Sequence, residues 1–335
     1  MFSAPKYHGP ATDHFDGNRF FNQGVLRTGF KDLLRWIFHR DAGPWRGFTE
    51  YPPGAPPPKR AGDGELLVTF VNHSTVLIQL DGVNILTDPV WSYRISPVSF
   101  AGPVRHRPAG IRFEDLPPID VVLLSHNHYD HLDASTMQRL AREHGPRIFT
   151  ALGNTAYLES IGVGNSCDMD WWEGAELPGN LWLTCVPAQH FSGRGLGDRD
   201  CTLWCGFVLE GKGGTIYFAA DTGMARHHFA AIRARFGDIT LALLPIGAYR
   251  PRWFMAPVHM GPDEAVEAHI LLQARQSMGI HFGTFAQADD GEFEPIELLN
   301  ETLDARGIAR EEFFVLENGA SRLVTYAGVD KPPVG

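Results

Sequence analysis

Ser125-His126-Asn127-His128-Tyr129-Asp130-His131 is the stretch on which the reading of this chain turns. It follows an apolar run, Val121-Val122-Leu123-Leu124, of the kind that forms a buried strand. Side chains alternate faces along an extended chain, so His126 and His128 point the same way. A tight turn after them aims Asp130 and His131 at a second point nearby. Imidazole nitrogens suit zinc and related ions, and a carboxylate adds a harder oxygen donor. Four ligand-type side chains in this order predict a metal site, and one half of a two-metal site.

Two coordination spheres need more donors than one turn supplies. Loops at the carboxyl ends of later strands are where a rigid scaffold gathers functional groups. His190 follows the strand-like run 181–187, Asp221 follows Thr215–Ala220, and His281 ends Ser277–Ile280. The predicted metal ligands are therefore His126, His128, Asp130, His131, His190, Asp221 and His281. Ligand histidines usually donate their other N–H to an acceptor behind them. Asp88, in Leu86-Thr87-Asp88-Pro89, suits that role, and His73 is placed beneath the metals. Asp133 is read as the cap of the helix that follows it.

These motifs carry a resemblance. His126 to His131 is similar to the His-x-His-x-Asp-His signature of the metallo-β-lactamase superfamily. The stretches Leu116–Asp133, Pro187-Ala188-Gln189-His190, Leu244–Met255 and His281-Phe282-Gly283-Thr284-Phe285 resemble one branch, the N-acyl-phosphatidylethanolamine-hydrolysing phospholipases D and their bacterial relatives. The likeness runs from residue 15 to residue 320. It implies an α/β fold: an αββα sandwich of two central mixed sheets flanked by helices. It also implies two zinc ions, with iron or manganese as alternatives. One would take His126, His128 and His190, the other Asp130, His131 and His281, and Asp221 would bridge them. The chain departs from the branch at Ala220-Asp221-Thr222-Gly223, where the family has Gly-Asp-Thr-Gly. It departs again at Val258-His259, where the family has Gln-His.

The expected function is a zinc-dependent phosphodiesterase of phospholipase D type, acting on an N-acyl phosphatidylethanolamine-like phospholipid. Two metals roughly 3.5–4 Å apart lower the pKa of a shared water, and the resulting hydroxide attacks phosphorus. Asp130 and Asp221 belong to that chemistry; His259 and Tyr129 are the candidates for contact with the phosphate or headgroup. Trp91, Tyr93, Phe100, Trp253 and Phe254 form a candidate rim for acyl chains. Arg94, Arg105, Arg107, Arg250 and Arg252 are candidate phosphate attractors. Two rival readings are a hydrolase of a soluble sugar-phosphate lactone or cyclic nucleotide, and a non-catalytic metal-binding regulator. The superfamily hosts many reactions on one fold, so fold alone does not choose between them.

The bulk composition agrees. The 335 residues are 44% hydrophobic, enough for one large domain or two small ones. A formal net charge of −10 leaves no basic excess for a nucleic-acid partner. Cys167, Cys185, Cys201 and Cys205 lack zinc-finger spacing and read as reduced core residues. No signal peptide or run of 18 apolar residues is seen, which predicts a cytoplasmic protein without membrane spans. Its oligomeric state is open, a dimer included.

Residues 1–65 read as an N-terminal extension and residues 66–335 as the hydrolase domain. Within the extension, residues 24–40 have helical apolar spacing with basic residues elsewhere around the helix. That pattern fits a helix packed on the domain or lying on an anionic membrane. Residues 51–58, Tyr-Pro-Pro-Gly-Ala-Pro-Pro-Pro, form a stiff connector. Strand-like runs fall at 66–71, 75–80, 83–87, 120–124, 147–150, 181–187, 202–209, 214–219, 239–245, 278–282 and 312–316. Helix-like runs fall at 133–144, 153–161, 224–235, 262–275 and 295–306.

Overall fold

A computed structural model of the chain describes residues 3–25 and 28–325. In chain order its strands are β1 (Leu66–Asn72), β2 (Thr75–Leu80), β3 (Val83–Thr87), β4 (Val121–Leu124), β5 (Arg147–Ala151), β6 (Ser166–Met169), β7 (Gly174–Leu177), β8 (Leu181–Val186), β9 (Gly206–Gly211), β10 (Gly214–Phe218), β11 (Leu241–Pro245), β12 (Gln276–Ile280), β13 (Phe313–Phe314) and β14 (Ser321–Val324). The helices are α1 (Phe30–Phe38), α2 (Ala134–Glu143), α3 (Asn154–Ser160), α4 (Arg226–Phe236), α5 (Arg252–Met255), α6 (Pro262–Leu272) and α7 (Glu294–Arg306).

The strands form two seven-stranded sheets, ordered β14-β1-β2-β3-β4-β5-β6 and β13-β12-β11-β10-β9-β8-β7. Each is antiparallel in one half and parallel in the other, where helical crossovers connect neighbouring strands. β4 shows why its run is apolar throughout. Val121 and Leu123 join the core between the sheets, with Phe207, Leu209, Phe218 and Leu243. Val122 and Leu124 face the opposite way and pack with Met137 and Leu140 of α2 and Leu158 of α3. A strand buried on both faces reads as a continuous hydrophobic run rather than an alternating one. The mixed sheets with outer helices are the expected αββα sandwich.

The structure departs from the sequence reading at specific points. The helix predicted over 24–40 spans only Phe30–Phe38; Leu26 and Arg27 lie outside the described residues. Gly24 adopts a left-handed φ of 70°, and Gly29 takes the N-cap position, its N–H bonded to Asp32. The run 202–209 enters its strand only at Gly206, because Cys205 is held in a loop by a bond from its N–H to the Ser125 carbonyl, 3.1 Å. The edge strands β6, β7 and β14 carried too few apolar residues to be seen, and α5, at four residues, is too short for a helical period to show. All four cysteines are free, but Cys167 is exposed on β6 rather than in the core.

The described part of the first 65 residues is tied to the rest of the chain. Tyr7 N bonds Cys201 O at 3.1 Å and Phe20 N bonds Asp200 O at 2.8 Å, while Phe15 and Phe20 enter the main core. Further on, Arg40 pairs with Asp289, Arg46 with Glu292, and Trp45 Nε1 donates to the Asp290 carbonyl.

Candidate metal centre

Each predicted ligand lies at or just beyond the carboxyl end of a strand. His126–His131 follow β4, His190 follows β8, Asp221 follows β10 and His281 follows β12. The turns that deliver them are conformationally demanding. Ala220 and His281 hold left-handed φ angles of 52° and 61°, and Asp88 and His73 hold 31° and 47°. Such non-glycine residues cost on the order of 1–3 kcal/mol each and cluster at functional sites. Gly247 is needed for close approach, since a Cβ there would collide with the His281 carbonyl.

Their donor atoms converge. His128 Nδ1 lies 2.8 Å from His126 Nε2 and 3.2 Å from His190 Nε2; His190 Nε2 is 3.6 Å from Asp221 Oδ2. On the other side, His131 Nε2 and His281 Nε2 each stand 3.2 Å from Asp221 Oδ2. They stand 3.2 and 3.3 Å from Asp130 Oδ2. A tetrahedron of donors with bonds of about 2.0–2.1 Å has edges of roughly 3.3–3.4 Å. The spacing therefore suits two ions that share Asp221.

Hydrogen bonds behind the ligands free the inward lone pairs. His131 Nδ1 donates to Asp88 Oδ2 at 2.6 Å, and His190 Nδ1 to the Val258 carbonyl at 3.0 Å. Ser125 Oγ donates to Asp88 Oδ2 at 2.6 Å and pairs with His126 Nδ1 at 2.9 Å. With those outward nitrogens protonated, Nε2 of all three rings points inward as an acceptor. His131 Nε2 and Asp221 Oδ1 are buried with no hydrogen-bond partner. Acceptors gathered this closely and left orphaned are what cations would satisfy, so the residues fit the implied metals.

The electrostatics divide the same way. Burial and the neighbouring imidazoles push His126 well down and His128 to about 4; burial also holds His190 low. For His131 and His281, burial is outweighed by the Asp221 and Asp130 carboxylates, which raise His131 strongly and His281 to about 9. Despite burial, these imidazoles hold both carboxyls well below the usual range. One side is thus a nest of neutral nitrogen donors, and the other attracts positive charge.

Of the remaining candidates, His259 faces the cluster, with Nδ1 3.9 Å from Asp221 Oδ2 and its ring 5.0 Å from that of His190. His73 Nε2 lies 3.0 Å from Asp130 Oδ2. Tyr129 donates its hydroxyl to the Arg194 carbonyl at 3.0 Å and lines a separate cavity of about 370 Å³ with Arg94 and Arg194.

The five arginines read as phosphate attractors are engaged within the chain. Arg105 donates to the carbonyls of Ser92, Val90 and Arg107, and Arg107 to that of Gly283. Arg94 is tied to the Ser99 and Gly102 carbonyls. Arg250 pairs with Glu294 and Asp41, and Arg252 with Glu264. These contacts brace loops. Asp133 occupies the N-cap position of α2 but caps no backbone N–H of that helix. Its carboxylate instead accepts the N–H groups of Trp91 and Ser92 and the hydroxyls of Ser92, Ser135 and Thr136. Trp91 is half-buried, whereas Tyr93, Phe100 and Trp253 are exposed.

Three contributors were not read from the sequence. Gln287 Nε2 donates to Asp130 Oδ2 at 2.8 Å, Ser125 joins Asp88 to His126, and Asn22 Nδ2 donates to the His190 carbonyl at 2.6 Å. Ser125 was within reach, because it begins the motif. Asn22 and Gln287 carry no local signal.

The described chain matches the Beta-lactamase superfamily domain over residues 83–282. It is 42% identical over 261 residues to N-acyl-phosphatidylethanolamine-hydrolyzing phospholipase D 1 of Caenorhabditis elegans, covering 75% of this chain and 73% of that protein. It is 28% identical over 232 residues to a metal-dependent hydrolase of Methanopyrus kandleri, covering 68% and 89%. Among solved structures, the isothiocyanate hydrolase from Delia radicum gut bacteria shares the fold, with a TM-score of 0.62, 21% identity and coverage of 77% and 99%. The chain belongs to the beta-lactamase superfamily, close to the phospholipases D that hydrolyse N-acyl-phosphatidylethanolamine, and is a metal-dependent hydrolase.

Proposed function

We propose that the protein cleaves a phosphodiester bond of an N-acyl phosphatidylethanolamine-like phospholipid and releases phosphatidic acid. The observation that carries this reading is the link between the metal centre and an exposed apolar helix. His259 N bonds the Met255 carbonyl of α5 at 2.8 Å, and Arg252 of α5 donates to the His259 carbonyl at 3.0 Å. α1 packs on α5, with Trp36 stacked on Phe254 at 5.3 Å and Arg35 over Trp253 at 4.6 Å. Leu33, Ile37 and Phe38 of α1 and Trp253 of α5 remain exposed. Exposed apolar side chains grouped in this way mark an interaction surface. Acyl chains seated there would bring a headgroup to His259. The likeness to the Caenorhabditis elegans phospholipase supports the same substrate class.

Zinc is the ion proposed, held by His126, His128 and His190 on one side and by Asp130, His131 and His281 on the other, with Asp221 shared. Divalent ions held there would supply Lewis-acid charge for activating water and neutralising phosphoryl oxygens. The chain's own residues do the rest. Asp88 and Ser125 hold the tautomers of His131 and His126. Burial lowers His259 to about 4, so near neutral pH it is an uncharged imidazole. Its Nδ1 is buried and has no partner, and from there it can donate one hydrogen bond to a phosphoryl oxygen. Among the described residues no helix is long and apolar enough to cross a membrane; contact through α1 would be peripheral.

The test is a product screen. Metal-loaded protein is incubated with mixed micelles of a phospholipid panel and with soluble diesters and lactones, and products are read by mass spectrometry. Phosphatidic acid from the micelles supports the proposal; turnover of the soluble compounds alone overturns it.

A further inference from the structure

We propose that His73 and Gln287 are positioning residues that hold Asp130 for the second metal position, setting its affinity apart from that of the first. The inference rests on the two-ion reading of the site. An aspartate carboxylate turns freely about its last torsion unless its surroundings fix it. Two neighbours from distant parts of the chain converge on the same oxygen. Gln287 Nε2 donates to Asp130 Oδ2 at 2.8 Å, and His73 Nε2 lies 3.0 Å from that oxygen. Both reach the oxygen that stands 3.2 Å from His131 Nε2 and 3.3 Å from His281 Nε2.

His73 also anchors the partner ligand. Its carbonyl accepts the His281 N–H at 2.8 Å, and its ring packs 4.0 Å from the His281 ring. Its own N–H donates to Thr284 Oγ1 at 3.1 Å. It leaves β1 through a register shift between Phe70 and Asn72 and takes a left-handed φ of 47°. The fully buried ring also packs edge-on against Phe285 at 5.3 Å. The loop that carries Gln287 is fastened in turn. Arg40 Nε meets Asp289 Oδ1 at 2.7 Å, and Trp45 Nε1 donates to the Asp290 carbonyl at 2.9 Å. Among the described residues, neither His73 nor Gln287 hydrogen-bonds or stacks with His126, His128 or His190, so their influence falls on one position.

The experiment is a zinc titration of full-length apo protein against a competing chromophoric chelator, with cobalt absorption as a second readout. Three variants are compared with wild type. His73→Asn keeps a residue that tolerates left-handed backbone but removes the imidazole. Gln287→Leu removes the donor at similar volume, and Gln287→Glu replaces it with a carboxylate. In each, the first equivalent should bind within a few-fold of wild type. The second should bind roughly 10–100-fold more weakly, the usual effect of losing an outer hydrogen bond to a ligand. An unchanged second equivalent in Gln287→Leu overturns the proposal, as does equal weakening of both equivalents. So does a wild type that binds a single ion, which also defeats the two-ion reading. If thermal melting shows that His73→Asn does not fold, the Gln287 variants decide alone. A wild type that binds two ions but ignores phospholipids defeats the substrate reading and leaves this inference standing.

Discussion

Asp88 Oδ2 accepts the Nδ1–H of fully buried His131 at 2.6 Å, and the same carboxylate accepts two bonds from Ser125. One buried acid therefore orients donors on both sides of the cluster. Asp88→Ala leaves the His131 N–H and the Ser125 groups without acceptors. Metal affinity should fall roughly 10–100-fold, read by competition with a chelator.

His259 Nδ1 stands 3.9 Å from Asp221 Oδ2, farther than His131, His281 or His190 Nε2. His259→Ala should keep both ions and lower kcat roughly 10²–10³-fold, the range for loss of one hydrogen bond to developing charge. Metal content by elemental analysis and turnover on phospholipid micelles check the two halves separately.

His14 clamps the N-terminal segment to the body of the protein. Its ring nitrogens meet Asp13 at 2.6 Å and Asp170 at 2.8 Å, and the ring stacks on Trp171 at 4.4 Å. Burial lowers its pKa, but the hydrogen bonds to Asp170 and Asp13 outweigh that and raise it above 6.5. A raised histidine stabilises fully below its unfolded value and loses that contribution as pH climbs through its folded value. Thermal stability should decline from pH 6.5 upward through the raised value. In His14→Gln that decline should be shallower than in wild type.

The exposed apolar residues of α1 make a membrane prediction. Ile37→Asp with Phe38→Asp should weaken sedimentation with vesicles of phosphatidylcholine and phosphatidylglycerol by roughly tenfold or more, given about 1.5–3 kcal/mol for each large apolar side chain withdrawn from water. Zinc stoichiometry should not change. Unaltered partitioning would leave α1 as a packing element on α5.

The converging histidines and aspartates were legible because chemistry and position coincide. The motif His126–His131, and then His190, Asp221 and His281, stand where apolar runs end, and a strand's end is visible in sequence. The sandwich was legible for a related reason: β4 and β11 are buried on both faces and advertise it by continuous hydrophobicity. The N-terminal contribution was not. Asn22 meets His190 and Arg40 meets Asp289 across more than 160 positions, and no periodicity links them. The partners of the arginines were not legible either. A guanidinium looks like an anion site until its carbonyl partners are known, and Arg105 and Arg107 spend theirs on buried backbone.

Isotope labelling tests the central claim most directly. Zinc-loaded protein is given N-acyl phosphatidylethanolamine in ¹⁸O-water, with Asp221→Asn protein as the blank. Attack of water at phosphorus predicts one ¹⁸O in the phosphate of phosphatidic acid, none in the released N-acylethanolamine, and no product from the blank. Label in the N-acylethanolamine, or equal product from Asp221→Asn, would contradict the account.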